Sequence, residues 1–138
     1  NLTAEERQIS IQIDHNQHLP FANADIAMIE RVIENLLDNA VRHTPAGGSI
    51  QLAFRAQNGD ISVCVSDTGY GIPEEDLPHI FDRFYHRDRT KENKTGYSGL
   101  GLAITKRILE LHNKSIIVES KAGAGTKFTF FLPVYHPA

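Results

Sequence analysis

The chain has 138 residues, of which 41% are apolar and 22% are charged, and this predicts one globular domain, residues 1–138, with its own hydrophobic core. The formal net charge of −3 excludes the broad positive potential with which proteins bind nucleic acid or an acidic membrane surface. Any anion must therefore be bound by a local group of residues.

The first half of the chain contains three patterns that predict secondary structure. Isoleucine alternates with polar residues over 9–13, which predicts a half-buried strand. A helix is predicted from a cap at Asp25 to about His43, because apolar residues recur there at helical spacing. Alternating runs at 50–54 and 61–65, separated by an Asn-Gly pair, predict a hairpin.

The second half of the chain completes an α+β pattern. A short helical piece is predicted at about 75–84, a mobile loop at 86–98, a helix at about 100–113, and strands at 116–119 and 127–132. Antiparallel hairpins interrupted by helices predict a two-layer α/β sandwich. Its mixed, mostly antiparallel sheet is expected to be covered on one face by helices.

Three polar residues of the long helix form a stripe. At about 100° per residue, Asn35, Asn39 and Arg42 project within about 60° of one another. A solvated helix face is the ordinary interpretation. Asparagine is a poor helix former, however, its carbonyl oxygen suits Mg²⁺, and a guanidinium suits phosphate oxygens. The stripe therefore favours a functional role over a merely solvated surface.

A second candidate site follows the strand that ends at Asp67. A carboxylate at this position can accept a hydrogen bond from the exocyclic amine of a purine. Gly69 and Gly71 permit a backbone to approach a ligand closely. An ordinary strand-to-loop turn explains these residues equally well when they are taken alone.

Two further segments are rich in glycine. Residues 96–102, Gly-Tyr-Ser-Gly-Leu-Gly-Leu, lead into a helix whose free backbone amides and positive dipole end favour an anion. The chain contains neither a P-loop sequence nor the dinucleotide pattern of strand, G-x-G-x-x-G and helix. Residues 123–126, Gly-Ala-Gly-Thr, are most simply a hairpin turn.

In this order, the four motifs resemble those of the catalytic, ATP-binding domain of bacterial sensor histidine kinases, in the GHKL superfamily that includes DNA gyrase. The resemblance covers nearly the whole chain. It rests on Asn-Leu-Leu-Asp-Asn-Ala-Val-Arg-His at 35–43, Asp-Thr-Gly-Tyr-Gly at 67–71, Phe-Asp-Arg-Phe at 81–84 and Gly-Leu-Gly-Leu at 99–102.

The resemblance implies that the cofactors are ATP and Mg²⁺, and it implies roles for individual residues. Asn39 would hold Mg²⁺ with help from Asn35, and Arg42 would approach the phosphates, which makes these three the implied catalytic residues. Asp67 would bond the adenine amino group. Residues 81–98 would form a flexible ATP lid and its anchor. Further nucleotide contacts are implied for His43, Gly69, Gly71, Ile72, Phe84, Arg87, Gly99, Leu100, Gly101, Leu102 and Thr126.

The implied reaction is transfer of the γ-phosphoryl group of ATP to a histidine on the dimerisation helices of a sensor histidine kinase. Hydrolases of the superfamily carry a catalytic glutamate where this chain has Asn35, and Glu34 is one position away and would project elsewhere. Positioning and charge neutralisation can suffice for transfer to an imidazole. We therefore predict a kinase. A serine kinase or ATPase of the same fold and a non-catalytic nucleotide-sensing module are the alternatives.

One position departs from the family pattern, and one domain is expected elsewhere. Many members carry an arginine directly after the Phe-Tyr of the lid anchor, where this chain has His86, and either Arg87 or Arg89 can substitute. No amphipathic segment with a phosphoacceptor histidine precedes Asn1. We therefore expect a fragment of a longer sensor protein.

The resemblance also implies partners and a location. The partners would be the dimerisation and phosphoacceptor helices of the same protein and a cognate response regulator, without nucleic acid or direct membrane contact. The fragment would be a monomer and the full protein a homodimer. The single cysteine, Cys64, suits core packing in a reducing compartment. We expect a cytoplasmic domain of an inner-membrane sensor protein.

Overall fold

A computed structural model of the chain describes residues 8–15, 26–57, 59–82 and 101–133. The predicted strands and long helices are confirmed within these ranges, whereas the cap at Asp25 and the loop at 86–98 lie outside them. The described elements are β1 Ser10–His15, α1 Ile26–His43, β2 Ser49–Gln57, β3 Asp60–Asp67, a 3₁₀ helix Glu74–His79, α2 Gly101–Leu111, β4 Ile116–Ser120 and β5 Thr126–Pro133.

The strands form one sheet in the order β1-β2-β3-β5-β4. β1 lies parallel to β2, and every other neighbouring pair is antiparallel. The prediction of a mixed, mostly antiparallel sheet is therefore confirmed. β3 is the central strand, and its register with β5 places its last residue, Asp67, opposite Thr126.

The hydrophobic core lies between this sheet and the two helices, which pack against each other. Alternation along the strands and helical spacing along α1 bring apolar side chains to the same layer. Leu36 of α1, Val63 of β3 and Phe130 of β5 are each 0% exposed. Burial of side chains of this size contributes about 1.5–3 kcal/mol each, so this layer supplies the main force that closes the sandwich. Neither described helix has the length and apolar content needed to cross a bilayer.

Both α-helices end through local hydrogen bonds. The Thr44 hydroxyl donates to the Ala40 carbonyl at 2.7 Å after the last residue of α1. Beyond α2, Asn113 has a φ of 58°, and the Lys114 N–H donates to the Leu109 carbonyl at 2.8 Å. This is the arrangement in which a left-handed residue satisfies the free carbonyls at a helix end.

The faces of two strands differ from the sequence prediction. Ile11 is 42% exposed and Ile13 is 65% exposed, so the expectation that β1 is half-buried is wrong for these side chains. β1 is an edge strand, and among the described elements α1 packs over β3 and β2 instead. Cys64 is only half-buried, because its neighbours Val63 and Val65 face the helices and the strand period of two turns it to the opposite face.

The short helical piece predicted at 75–84 is a 3₁₀ helix that ends at His79. Pro78 lies inside it and has no backbone N–H, and a proline ring would collide with the preceding turn of an α-helix. The Asp76 N–H accordingly donates to the carbonyl three residues earlier, that of Pro73, at 2.9 Å. Residues 83 and 84 lie outside the described ranges.

The core predicts a sharp contrast between two leucine substitutions. Leu36→Ala is expected to lower the free energy of unfolding by about 2–5 kcal/mol, because it leaves a cavity at a fully buried position. Leu111→Ala is the matched control in α2, since Leu111 is 57% exposed. Urea unfolding of both variants measures the difference, and equal losses would contradict the described core.

Candidate functional site

The carboxylate of Asp67 is held by the backbone on both sides of it. Its Oδ1 accepts hydrogen bonds from the N–H groups of Gly69 at 2.8 Å and Thr126 at 3.2 Å. Burial raises the pKa of the Asp67 carboxyl above its usual value of 3.8, and the two N–H bonds oppose part of that rise. No hydrogen bond from the described residues reaches Oδ2, so this oxygen can accept one from a ligand.

The loop after Asp67, residues 68–72, lies against the protein's own backbone. A β-carbon on Gly69 would overlap the His43 carbonyl, and one on Gly71, whose φ is 73°, would overlap the Lys121 carbonyl. The Tyr70 N–H donates to the His43 carbonyl at 3.0 Å. The two glycines thus allow close approach to the protein's own backbone, at the end of α1 on one side and at the β4–β5 connection on the other. Their approach to a ligand stays a prediction.

The asparagine stripe of α1 is not a solvated face. Asn39 is 5% exposed, and its side-chain amide makes no hydrogen bond with the described residues. Asn35 and Arg42 are half-buried, whereas Glu34 is exposed. The stripe is therefore partly to fully buried along its length, and Glu34 lies off it.

Asn35 connects the stripe to the beginning of α2. Its Nδ2 donates to the Gly101 carbonyl at 3.3 Å, across 66 positions of sequence. Leu102 is 6% exposed and belongs to the core. Its contact with a nucleotide stays a prediction. Four predicted contacts lie outside the described residues: Phe84, Arg87, Gly99 and Leu100.

His43 joins the stripe to the Asp67 loop. Its Nδ1 is 2.8 Å from the Asn39 carbonyl oxygen, and its own carbonyl accepts the Tyr70 N–H. The predicted site residues therefore form two groups that meet at the end of α1. One group contains Asn35, Asn39 and Gly101, and the other contains Asp67, Gly69, Gly71, Ile72 and Thr126.

Ser120 is a residue of the second group that the sequence did not indicate. Its Oγ accepts the Ile72 N–H at 2.7 Å and lies 2.9 Å from Thr126 Oγ1. A serine at the end of a strand carries no distinguishing pattern, so only the tertiary contacts reveal it. Asp67, Ser120 and Thr126 line one cavity of about 570 Å³.

Comparison with known proteins identifies the family. The family model of the histidine kinase-, DNA gyrase B- and HSP90-like ATPases matches residues 24–136. The chain belongs to this family. The matched region contains both groups of the candidate site.

The similar curated proteins are named as sensor proteins and sensory kinases. The chain is 42% identical to the alginate biosynthesis sensor protein KinB of Pseudomonas aeruginosa over 130 residues. This alignment covers 94% of this chain and 21% of KinB. The chain is also 42% identical over 134 residues to the adaptive-response sensory kinase SasA of Microcystis aeruginosa, covering 96% of this chain and 34% of that protein. The chain spans about a fifth to a third of the length of these curated relatives.

Solved structures agree in fold. The catalytic domain of histidine kinase ThkA superimposes with a TM-score of 0.80 at 27% identity, covering 95% of this chain and 82% of that one. Full-length ShkA in complex with AMPPNP superimposes with a TM-score of 0.83 at 30% identity, and the match covers 98% of this chain and 27% of that one. The predicted fold and the predicted histidine kinase catalytic domain are therefore confirmed.

The burial of Asp67 predicts how a neutral substitute behaves. In Asp67→Asn the amide oxygen can still accept both N–H bonds, and no charge is buried. Because the pKa of Asp67 is raised in the folded state, folding of the wild type loses stability as pH rises from 3.8 through the raised value. The variant is expected to be at least as stable as the wild type at pH 7, with this advantage absent below pH 3.8.

Chemical denaturation between pH 3 and pH 7 measures this difference, and the control is Asp60→Asn at the other end of β3. Asp60 forms an ion pair with Lys114 at 3.6 Å, and loss of this partly exposed pair is expected to change stability by less than about 1 kcal/mol. A variant of Asp67 that loses more stability at pH 7 than at pH 3 would show that burial is not the dominant influence on this carboxyl.

Proposed function

We propose that the chain binds Mg-ATP and transfers its γ-phosphoryl group to a histidine on the dimerisation helices of a longer sensor histidine kinase. Membership of the family supports nucleotide binding, and the named sensor kinases among the relatives support this branch of it. The observation that carries the proposal is the buried amide of Asn39, which makes no hydrogen bond with the residues that the structure describes.

The residues around Asn39 fit Mg²⁺. A buried polar group without a partner costs about 1–3 kcal/mol, which a ligand for its carbonyl oxygen would offset. Amide oxygens are hard ligands of the kind that Mg²⁺ accepts together with phosphate oxygens and water. Asn35 gives its Nδ2 to Gly101 and keeps its Oδ1 as an acceptor, so it can assist Asn39. The bound ion would neutralise charge on the phosphates.

The Asp67 group fits the adenine end. Oδ1 is already occupied by two N–H donors, which orients the carboxylate and leaves Oδ2 to accept the exocyclic amine. Thr126 lines the same cavity and offers a hydroxyl. Ile72 gives its N–H to Ser120, so we propose that it contributes apolar surface to the base and not a hydrogen bond.

The phosphates would lie between the two groups. Among the described residues α2 begins at Gly101, and Asn35 contacts this residue beside the stripe. A helix N-terminus offers backbone N–H groups and a positive dipole end to an anion. Arg42, on the same stripe, would approach the phosphates. Predicted contacts at Phe84, Arg87, Gly99 and Leu100 remain part of the proposal.

The arrangement favours transfer over hydrolysis. Asn35 stands where hydrolases of the superfamily carry glutamate, and an amide cannot act as a general base for water. Glu34 is exposed, away from the stripe. We therefore propose an external imidazole as the nucleophile, with the chain positioning ATP. The proposed partners are the dimerisation helices and a response regulator. The proposed setting is the cytoplasmic part of a homodimeric inner-membrane sensor.

Calorimetric titration with a non-hydrolysable ATP analogue, with and without Mg²⁺, tests nucleotide binding. We expect affinity in the micromolar to millimolar range and a preference for adenine over guanine nucleotides. Asn39→Ala should weaken Mg²⁺-dependent binding at least about tenfold, the effect of about 1.4 kcal/mol. It should leave the domain folded, because the buried amide that it removes has no hydrogen bond to lose among the described residues.

The control for this titration is Glu34→Ala, on the same helix at an exposed position, which should bind as the wild type does. A folded wild-type domain that binds no nucleotide would refute the proposal.

Phosphoryl transfer has its own experiment. The domain is joined to the dimerisation helices of its own sensor protein, and phosphohistidine is measured after addition of Mg-ATP. We expect acid-labile phosphate on the helices and little release of free phosphate. Rapid hydrolysis without labelled helices would instead support an ATPase, and nucleotide binding without either reaction would support a sensing module.

A further inference from the structure

Ser120 makes three hydrogen bonds through a single hydroxyl group. Its Oγ is 2.8 Å from the Gly125 carbonyl oxygen, 2.9 Å from Thr126 Oγ1 and 2.7 Å from the Ile72 nitrogen. These contacts join the end of β4, the beginning of β5 and the loop at 68–72. A hydroxyl offers one donor and two acceptor lone pairs, so the three bonds use its whole capacity.

The direction of each bond follows from the groups involved. The Ile72 N–H can only donate, and the Gly125 carbonyl can only accept. Ser120 must therefore give its one proton to Gly125 and accept from Ile72. Its remaining lone pair can only accept, so the hydroxyl proton in the contact with Thr126 belongs to Thr126.

This assignment determines what Thr126 offers to a ligand. Its hydroxyl proton points to Ser120, and its Oγ1 is left with lone pairs alone. Asp67 lines the same cavity, and its Oδ2, which accepts no hydrogen bond from the described residues, is a second acceptor. The cavity thus presents two acceptors, which suit the two N–H donors of a purine 6-amino group and repel the oxygen of a 6-oxo group.

We propose that Ser120 is a positioning residue that fixes Thr126 as a hydrogen-bond acceptor and thereby favours a 6-amino purine nucleotide over a 6-oxo one. This inference rests on the proposed nucleotide function. Ser120 acts through Thr126, because the hydrogen-bonding capacity of its own hydroxyl is already used.

Substitution of Ser120 releases the constraint. In Ser120→Ala the Thr126 hydroxyl can turn its proton toward the ligand and donate to a 6-oxo oxygen. The affinity ratio of Mg-ATP to Mg-ITP, measured by calorimetry on the isolated domain, should fall about threefold to tenfold, the usual effect of one hydrogen bond. Thr126→Val should also lower the ratio, because it removes the acceptor. In a Thr126→Val background, Ser120→Ala should lower it no further.

The matched control is Ser62→Ala. Ser62 is 8% exposed, and its hydroxyl donates to the Arg55 carbonyl at 3.4 Å, on the neighbouring strand. The Ser62→Ala substitution removes a buried serine hydroxyl that lies away from the cavity. It should leave the affinity ratio of Mg-ATP to Mg-ITP unchanged. Circular dichroism and the thermal midpoint show that each variant is folded.

The outcomes separate this inference from the proposed function. An unchanged ratio in folded Ser120→Ala, or equal weakening of both nucleotides, would overturn the role of Ser120 while the ATP site stands. An unchanged ratio in Thr126→Val would overturn it as well, even if Ser120→Ala does not fold. A wild-type domain that binds both nucleotides equally would also overturn the inference. A folded wild-type domain that binds neither nucleotide would instead remove the proposed function on which the inference rests.

Discussion

The buried carboxylate of Asp67 is the interaction on which the arrangement of the site depends. It ends the central strand, and its Oδ1 joins the loop at 68–72 to the first residue of β5 through two backbone N–H groups. Burial makes the charged form costly, and these N–H groups offset part of the cost. The chain therefore has to bring both backbone segments to this carboxylate, and the glycines on either side allow it.

The tight packing of backbone around this carboxylate places the two halves of the site. A β-carbon at Gly69, Gly71 or Gly125 would overlap a carbonyl oxygen, so the loop, the end of α1 and the β4–β5 connection occupy fixed positions relative to one another. His43 lies at their meeting point and contacts both groups. The loop that follows Asp67 and the helix that carries the asparagines are thereby in direct contact.

Stability and function are in tension at two positions. Asn39 is buried without a hydrogen-bond partner among the described residues, and Asp67 is a carboxylate in a place that favours its protonated form. Neither choice stabilises the fold by itself, and apolar or neutral residues would pack there at lower cost. Such local violations of packing rules are expected where a protein retains groups for a ligand, while the apolar layer around Leu36 and Phe130 supplies the compensating stability.

The sequence by itself determined the strands, the long helices, the four motifs and the family, because the period of apolar residues sets the exposed and buried faces of an element and the motifs are local. It could not determine that Ile11 and Ile13 are exposed or that the segment around Pro78 is a 3₁₀ helix. Nor could it determine that Ser120 joins Ile72 to Thr126. Edge position, and contacts between residues 48 positions apart, depend on the order in which strands pair. Only the tertiary structure fixes that order, since pairing is decided by packing across the whole sheet.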